Sequence, residues 1–133
     1  MGIFLALFAR YCLGYMEIAE RSAMQATLIN TAAAINIKFA QRLANAPENP
    51  ADWSRRNPFE ITGATPPNFS RDSDLAKLQA GQWAFDGASA ELVYLPRLSF
   101  SLQRSGADPS LRFRLVRGPA GYFLQPVAPF VWQ

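Results

Sequence analysis

The chain has no histidine and a single cysteine, Cys12, among its 133 residues. Without histidine, neither a Ser-His-Asp nor a Cys-His catalytic arrangement can form, and the usual zinc ligand sets cannot be completed. One cysteine excludes an internal disulfide, so cysteine usage leaves the redox compartment open. Ser22, Ser54 and Ser89 have no histidine to activate them, and no Ser-x-x-Lys pattern occurs. Gly118-Pro119-Ala120-Gly121 lacks the following Lys-Ser/Thr of a phosphate loop and reads as a turn. Long hydrophobic runs are also missing. Met1-Gly2-Ile3-Phe4-Leu5-Ala6-Leu7-Phe8 is stopped by Arg10, well short of the ~20 residues that span a bilayer. It lacks the basic n-region and small-residue cleavage site of a signal peptide.

The rest of the composition is that of one folded domain. Half of the residues are hydrophobic and 17% are charged, which separates the chain from disordered sequences. Its length is enough to bury a core without disulfide or metal staples. The net charge is +3, unevenly placed: Arg97, Arg104, Arg112, Arg114 and Arg117 face one acid, Asp108, in the last third. Such a patch can attract nucleic acid or anionic lipid, and Arg97, Arg112, Arg114 and Arg117 are the candidate anion or DNA contacts. Arginines on the solvent face of strands have the same pattern with no ligand at all.

Residues 11–45 predict one long amphipathic helix. Met24, Leu28, Ala32, Ile35, Phe39 and Leu43 recur at gaps of three and four, which stacks them in one stripe. Gln25, Asn30, Asn36, Lys38, Gln41 and Arg42 lie between them, so the opposite face is expected to be polar. Glu17 and Glu20 come early and Lys38 and Arg42 late, the order that complements the helix dipole. Asn45-Ala46-Pro47 ends the run, because proline cannot continue a helix. Globular helices average ~10–14 residues, so this one needs a special reason. The apolar start runs into it without a break stronger than Gly14, as the back half of a membrane helix would; a terminal core helix is the alternative. Glu17 and Glu20 are neighbours on one face, where paired carboxylates can share acid–base work. On an amphipathic helix the expected place is a solvated face, with Glu17 pairing to Arg21.

Residues 47–74 hold Pro47, Pro50, Pro58, Pro66 and Pro67, which forbid long regular elements. Trp53, Phe59, Ile61 and Phe69 are spread through them, so a loop pinned to the core is expected. A short turn should open at Pro50-Ala51-Asp52-Trp53 and close at Asn57-Pro58, with another from Ser73 to Leu78. From Gln82 the period changes to two. Gln82-Trp83-Ala84-Phe85-Asp86, the turn Gly87-Ala88-Ser89-Ala90 and Glu91-Leu92-Val93-Tyr94-Leu95 make an antiparallel hairpin. Leu98-Ser99-Phe100-Ser101-Leu102 alternates as a further strand, its odd-looking serines outward. Leu111-Arg112-Phe113-Arg114-Leu115 places Leu111, Phe113 and Leu115 inward. A final segment, 122–127, is confined by Pro126 and Pro129 to an edge or an irregular end. Trp53, Trp83 and Trp132 belong to the core, although such rings can also stack on bases. The fold class is α+β: a spine helix (1–45), an irregular connection (46–81) and an antiparallel meander of about four strands (82–133). The apolar face of the sheet needs the striped half of the helix as its cover. The N-terminal half then projects with nothing to pack on.

This layout resembles the type IV pilin-like proteins, the minor pilins and the type II secretion pseudopilins. The resemblance is carried by Tyr15-Met16-Glu17-Ile18-Ala19-Glu20-Arg21-Ser22-Ala23 with Gln25-Ala26-Thr27, by Gln82-Trp83-Ala84-Phe85-Asp86, and by Glu91-Leu92-Val93-Tyr94-Leu95-Pro96-Arg97. Leu111-Arg112-Phe113-Arg114 followed by Pro126-Val127 is similar to the last strands of such proteins. The resemblance covers the chain from about Ile3 onward and implies a non-catalytic structural or accessory subunit without cofactor, metal or small-molecule substrate. It implies assembly through Ile3, Leu5, Phe8, Leu13, Tyr15 and Met16 with other pilin or pseudopilin subunits, served by inner-membrane assembly machinery. The implied place is the inner membrane, single-pass with a periplasmic domain, or an extracellular pilus, in a Gram-negative bacterium. A DNA-binding minor pilin using the arginine-bearing sheet face is the alternative. Members begin with a basic leader and a Gly-Phe-Thr-Leu-Ile-Glu-like segment; none precedes Ile3, so a chain truncated inside its membrane helix is expected. One cysteine cannot form the disulfide loop of major pilins, and Asp72 with Asp74 is too small a ligand set for the calcium site of some pseudopilins. Both departures favour a minor or accessory subunit.

Overall fold

The computed structural model describes residues 2–45, 52–104 and 106–132. Helix α1 is continuous over Gly2–Asn45, 44 residues, or ~66 Å at 1.5 Å per residue. A single glycine costs only ~1 kcal/mol in a helix, and Gly14 does not break this one. Helix α2 (Pro58–Thr62) and a 3₁₀ turn (Leu75–Lys77) punctuate the connection. Six strands follow: β1 (Trp83–Asp86), β2 (Glu91–Tyr94), β3 (Leu102–Arg104), β4 (Leu111–Gly118), β5 (Gly121–Pro126) and β6 (Phe130–Trp132). The architecture is α+β, as expected, with a four-stranded antiparallel sheet in the order β1-β2-β4-β5 laid on the C-terminal half of α1.

The buried residues of α1 are Glu17, Met24, Thr31, Ile35 and Phe39. Met24, Ile35 and Phe39 of the expected stripe are buried, Leu28 and Ala32 are half-buried, and Leu43 is exposed. Thr31 is buried where Ala32 of the stripe is half-buried, on a helix that α2 also contacts. Leu43 lies beyond Phe39, where the cover ends. The outer face is less polar than expected, since Ile29 and Ile37 are both exposed.

One core cluster centres on Trp83, whose ring lies 4.7 Å from Tyr94, 5.9 Å from Phe59 and 6.1 Å from Phe113 between centroids. Met24, Leu92, Leu111 and Trp132 complete it. A second cluster joins Ile35 and Phe39 to Trp53, Ile61, Leu115 and Tyr122. Trp53, Phe59 and Ile61 are buried in these clusters, so the connection is pinned to the core as its aromatics predict. It also flanks β1: Ser70 donates to the Trp83 carbonyl at 2.7 Å and Trp83 donates to Asn68 at 2.9 Å.

Two local expectations are corrected. Asn57-Pro58 opens a helix instead of closing a turn: Asn57 accepts from the Phe59 amide at 3.0 Å and Pro58 fills the first helical position. Residues 98–101 form no strand, and Phe100 is 75% exposed. Their amides are drawn to carboxylates of α1, described below, so only Leu102–Arg104 pairs as β3. Its partner is β6, in a separate two-stranded sheet; the segment 122–127 lies in β5 at the edge of the main sheet, one of the two places its prolines allow. Pro96 ends β2, and the chain reaches β4 before rejoining the main sheet.

Sheet edge β5 is held by a side chain. Asn36 of α1 accepts from the Tyr122 amide at 2.7 Å and donates to the Tyr122 carbonyl at 2.9 Å, the two bonds a neighbouring strand would make. This requires Gly121, at φ 131°, where a Cβ would stand 2.6 Å from Asn36 Oδ1. Gly121→Ala is expected to destabilise the domain by ~1–3 kcal/mol, from backbone strain and the displaced amide. Phe39→Ala should cost ~3–5 kcal/mol and Ile35→Ala ~2–5. Lys38→Ala on the exposed side should cost no more than ~0.5 kcal/mol. Urea unfolding of the four variants checks the placement; a Lys38→Ala loss equal to that of Phe39→Ala would contradict it.

Candidate functional site

Every described residue before Glu17 is exposed, although Ile3, Phe4, Leu5, Leu7, Phe8, Tyr11, Leu13, Tyr15 and Met16 are large and apolar or aromatic. The six candidate assembly residues, Ile3, Leu5, Phe8, Leu13, Tyr15 and Met16, therefore all lie on the free half of α1. They do not converge on one line: Leu5 and Phe8 are one turn apart, while Tyr15 and Met16 point some 100° from each other. The apolar surface wraps the helix. Cys12 is exposed on the same half. This helix is long and apolar enough to cross a membrane, with an 18-residue window of mean hydropathy 1.4.

The boundary between free and covered helix is built by Glu17 and Glu20. Glu20 accepts three hydrogen bonds: from the Tyr94 hydroxyl at 2.6 Å, the Arg97 amide at 2.7 Å and the Leu98 amide at 2.9 Å. Glu17, 4% exposed, accepts from the Ser101 amide at 2.7 Å and the Trp132 indole N–H at 2.9 Å. One turn of helix thus gathers the end of β2, the following loop and β6. A solvated face with a Glu17–Arg21 pair is the wrong description. Arg21 instead donates to the Trp132 carbonyl at 2.8 Å. Nor do these carboxylates form a shared acid–base pair, because each is occupied by donors that belong to the fold. The sequence signal was available: Glu17, Met24 and Thr31 are seven residues apart and so share one face. The donors, more than 70 residues away, carry no such signal.

Burial pushes the Tyr94 hydroxyl well above its ordinary titration range, and its bond to the Glu20 carboxylate adds to the shift.

The four candidate anion contacts are dispersed. Arg112 and Arg114 stand together on β4, but both are answered by carboxylates. Arg112 reaches Asp86 at 3.0 Å, Glu91 at 3.2 Å and Asp108 at 3.0 Å, and Arg114 reaches Glu91 at 3.0 Å. The Arg112 hydrogen bond holds the Asp86 carboxyl below its usual range. Arg117 lies over the Phe39 ring, 5.0 Å from its centroid. Arg97 is exposed, its stem resting where a Gly81 Cβ would be. Among the described residues no three His, Cys, Asp or Glu side chains converge as metal ligands. No protein-family model, curated protein or solved structure matches the chain.

Glu17→Ala is expected to destabilise the domain by ~1–3 kcal/mol, because it strands the buried Trp132 N–H and the Ser101 amide. Chemical denaturation and indole fluorescence follow it. Tyr94 adds a pH signature. Its folded-state value is raised, so its contribution is complete below the unfolded tyrosine value of ~10 and is lost as pH rises above that. Stability should therefore fall more steeply above pH ~10 in the native chain than in Tyr94→Phe; identical alkaline slopes would contradict the assignment.

Proposed function

We propose that this chain is a non-catalytic structural or accessory subunit of a type IV pilus or type II secretion pseudopilus. It assembles by burying the free half of α1 against other pilin or pseudopilin subunits, with inner-membrane assembly machinery as the further partner. The observation that carries this reading is the abrupt change at Glu17. Core contacts begin there, while the same unbroken helix continues outward for about four turns with its large apolar side chains in solvent. A surface of that kind in a lone domain is an association liability, and burial in a helix bundle or bilayer gives it a purpose. The proposed location is the inner membrane as a single-pass protein with a periplasmic domain, or an extracellular pilus, in a Gram-negative bacterium. A helix able to cross a membrane supports the first step of that placement. In this reading the subunit works without cofactor, metal or small-molecule substrate. A DNA-binding minor pilin that uses Arg97, Arg112, Arg114 and Arg117 draws less support, because the two central arginines are paired within the sheet.

Leu13→Asp or Tyr15→Asp, introduced in the full-length gene, should leave circular dichroism of the folded domain unchanged and abolish filament incorporation or secretion. A carboxylate buried in a helix bundle or bilayer costs several kcal/mol unless paired, whereas on the isolated domain it stays in water. Normal assembly of either variant at native expression levels would sink the proposal.

A further inference from the structure

At the end of α1 remote from the apolar half, an open groove of about 460 Å³ is lined by Lys38, Gln41, Arg42 and Asn45 of the helix, Arg56, Trp53 and Ile61. Its walls carry three cations from two separate segments, and none of the described residues that line it is a carboxylate. Among the described residues all four ion pairs involve Arg112 or Arg114, so Lys38, Arg42 and Arg56 have no salt-bridge partner there. Asp52, a described acid close by in sequence, is turned to its own loop, accepting from the Ser54 amide and hydroxyl at 3.0 and 2.7 Å.

The cations carry a small mutual repulsion that an anion would relieve. Lys38 and Arg42 are four residues apart on one helical face, where like charges repel. Arg42 sits in the last turn and complements the helix dipole; Lys38, a further turn back, and Arg56, outside the helix, gain little from it. The floor is rigid: Trp53 stacks on Tyr122 at 5.9 Å, meets Phe39 edge-on at 5.9 Å, and receives the Tyr122 hydroxyl oxygen at its backbone N–H at 3.3 Å. Gln41 and Asn45 add amide donors beside the cations.

We infer that this groove binds a phosphate-bearing anion, held by Lys38, Arg42 and Arg56. Forked guanidinium donors and an ammonium match the oxygens of a phosphate chain. Lys38 lies 22 residues beyond Met16, ~33 Å along the helix, so headgroups of a membrane holding the apolar half are out of reach. The phosphate source is then a free oligophosphate or a nucleic-acid backbone. The groove lies at the opposite end of the molecule from the assembly half; only the exclusion of headgroups rests on the assembly proposal.

The test measures binding of two probes to the full chain in ~50 mM salt: tripolyphosphate by calorimetry and a single-stranded 12-nucleotide oligomer by fluorescence anisotropy. Lys38→Gln/Arg42→Gln is compared with Arg71→Gln/Lys77→Gln, which removes the same charge from exposed positions elsewhere. Two lost charge-assisted contacts should weaken binding at least ~10-fold, against less than ~2-fold for the control. Groove-dependent tripolyphosphate binding identifies a small anion as sufficient, and groove-dependent binding of the oligomer alone identifies the polymer backbone. Equal losses in the two double variants, or no binding of either probe to the native chain, would overturn the inference.

Discussion

Five hydrogen bonds to two carboxylates on one turn of α1 determine where this domain stops. Glu17 and Glu20 collect backbone amides from Arg97, Leu98 and Ser101, the Tyr94 hydroxyl and the Trp132 indole. Those amides belong to a segment that has left one sheet and not yet joined the other, so they have no ladder partner. A charged acceptor makes stronger bonds than a neutral one, and here the acceptors also lie at the last covered turn of a long helix. The clasp therefore does two things at once. It satisfies the irregular crossing between β2 and β3, and it fixes the register of the sheet along a helix whose apolar residues alone would allow sliding. Met24, Ile35 and Phe39 are spaced so that a shift by one turn would still bury something apolar; a shift of Glu17 and Glu20 would leave five donors without these acceptors.

The same economy of side chains governs the sheet. Its β5 edge is engaged by Asn36, and further along Pro126 removes a donor from that edge. Its β1 edge meets the loop through the Phe69–Trp83 bridge. On the outer surface of β4, Arg112 gathers three acids from three different segments, tying the β1–β2 hairpin to the loop before β4. Glu91 is 5% exposed and bonded to both arginines. Positive charge on Arg112 and Arg114 that looks free in the sequence is in this way held by carboxylates of the sheet and its loops.

Local patterns were legible where one residue decides an outcome from its own neighbours. Alternation over Leu111, Phe113 and Leu115 placed those three in the core, and the helix stripe identified Met24, Ile35 and Phe39. The hairpin around residues 87–90 was equally plain, with Asp86 opposite Glu91. The misreadings share one cause. Leu98, Phe100 and Leu102 alternate as a strand does, but the hydrogen bonds of that segment are taken by helix residues about 80 positions earlier. Arg112 reads as a solvent-facing charge because its acids at positions 86, 91 and 108 come together only after the sheet is paired. Asn57-Pro58 reads equally as a stop and a start, and the buried Phe59 and Ile61 decide for the start.

What remains to be explained physically is a helix with one face satisfied for half its length and none for the other half. Propensity alone does not account for it, since in proteins most helical stability comes from packing. The covered half acts as a preformed template: with Glu17 locked in the domain, each residue added toward Gly2 extends an existing helix and avoids the nucleation cost. The free half can therefore hold its shape in water while its side chains remain uncovered. Its apolar residues surround the axis, so a partner could approach from more than one side, as in a bundle and unlike a two-chain seam. The clasp at Glu17 and Glu20 separates these regimes. Forces on the free half meet the fold first at five hydrogen bonds to buried or half-buried carboxylates, and only then at the aromatic core around Trp83.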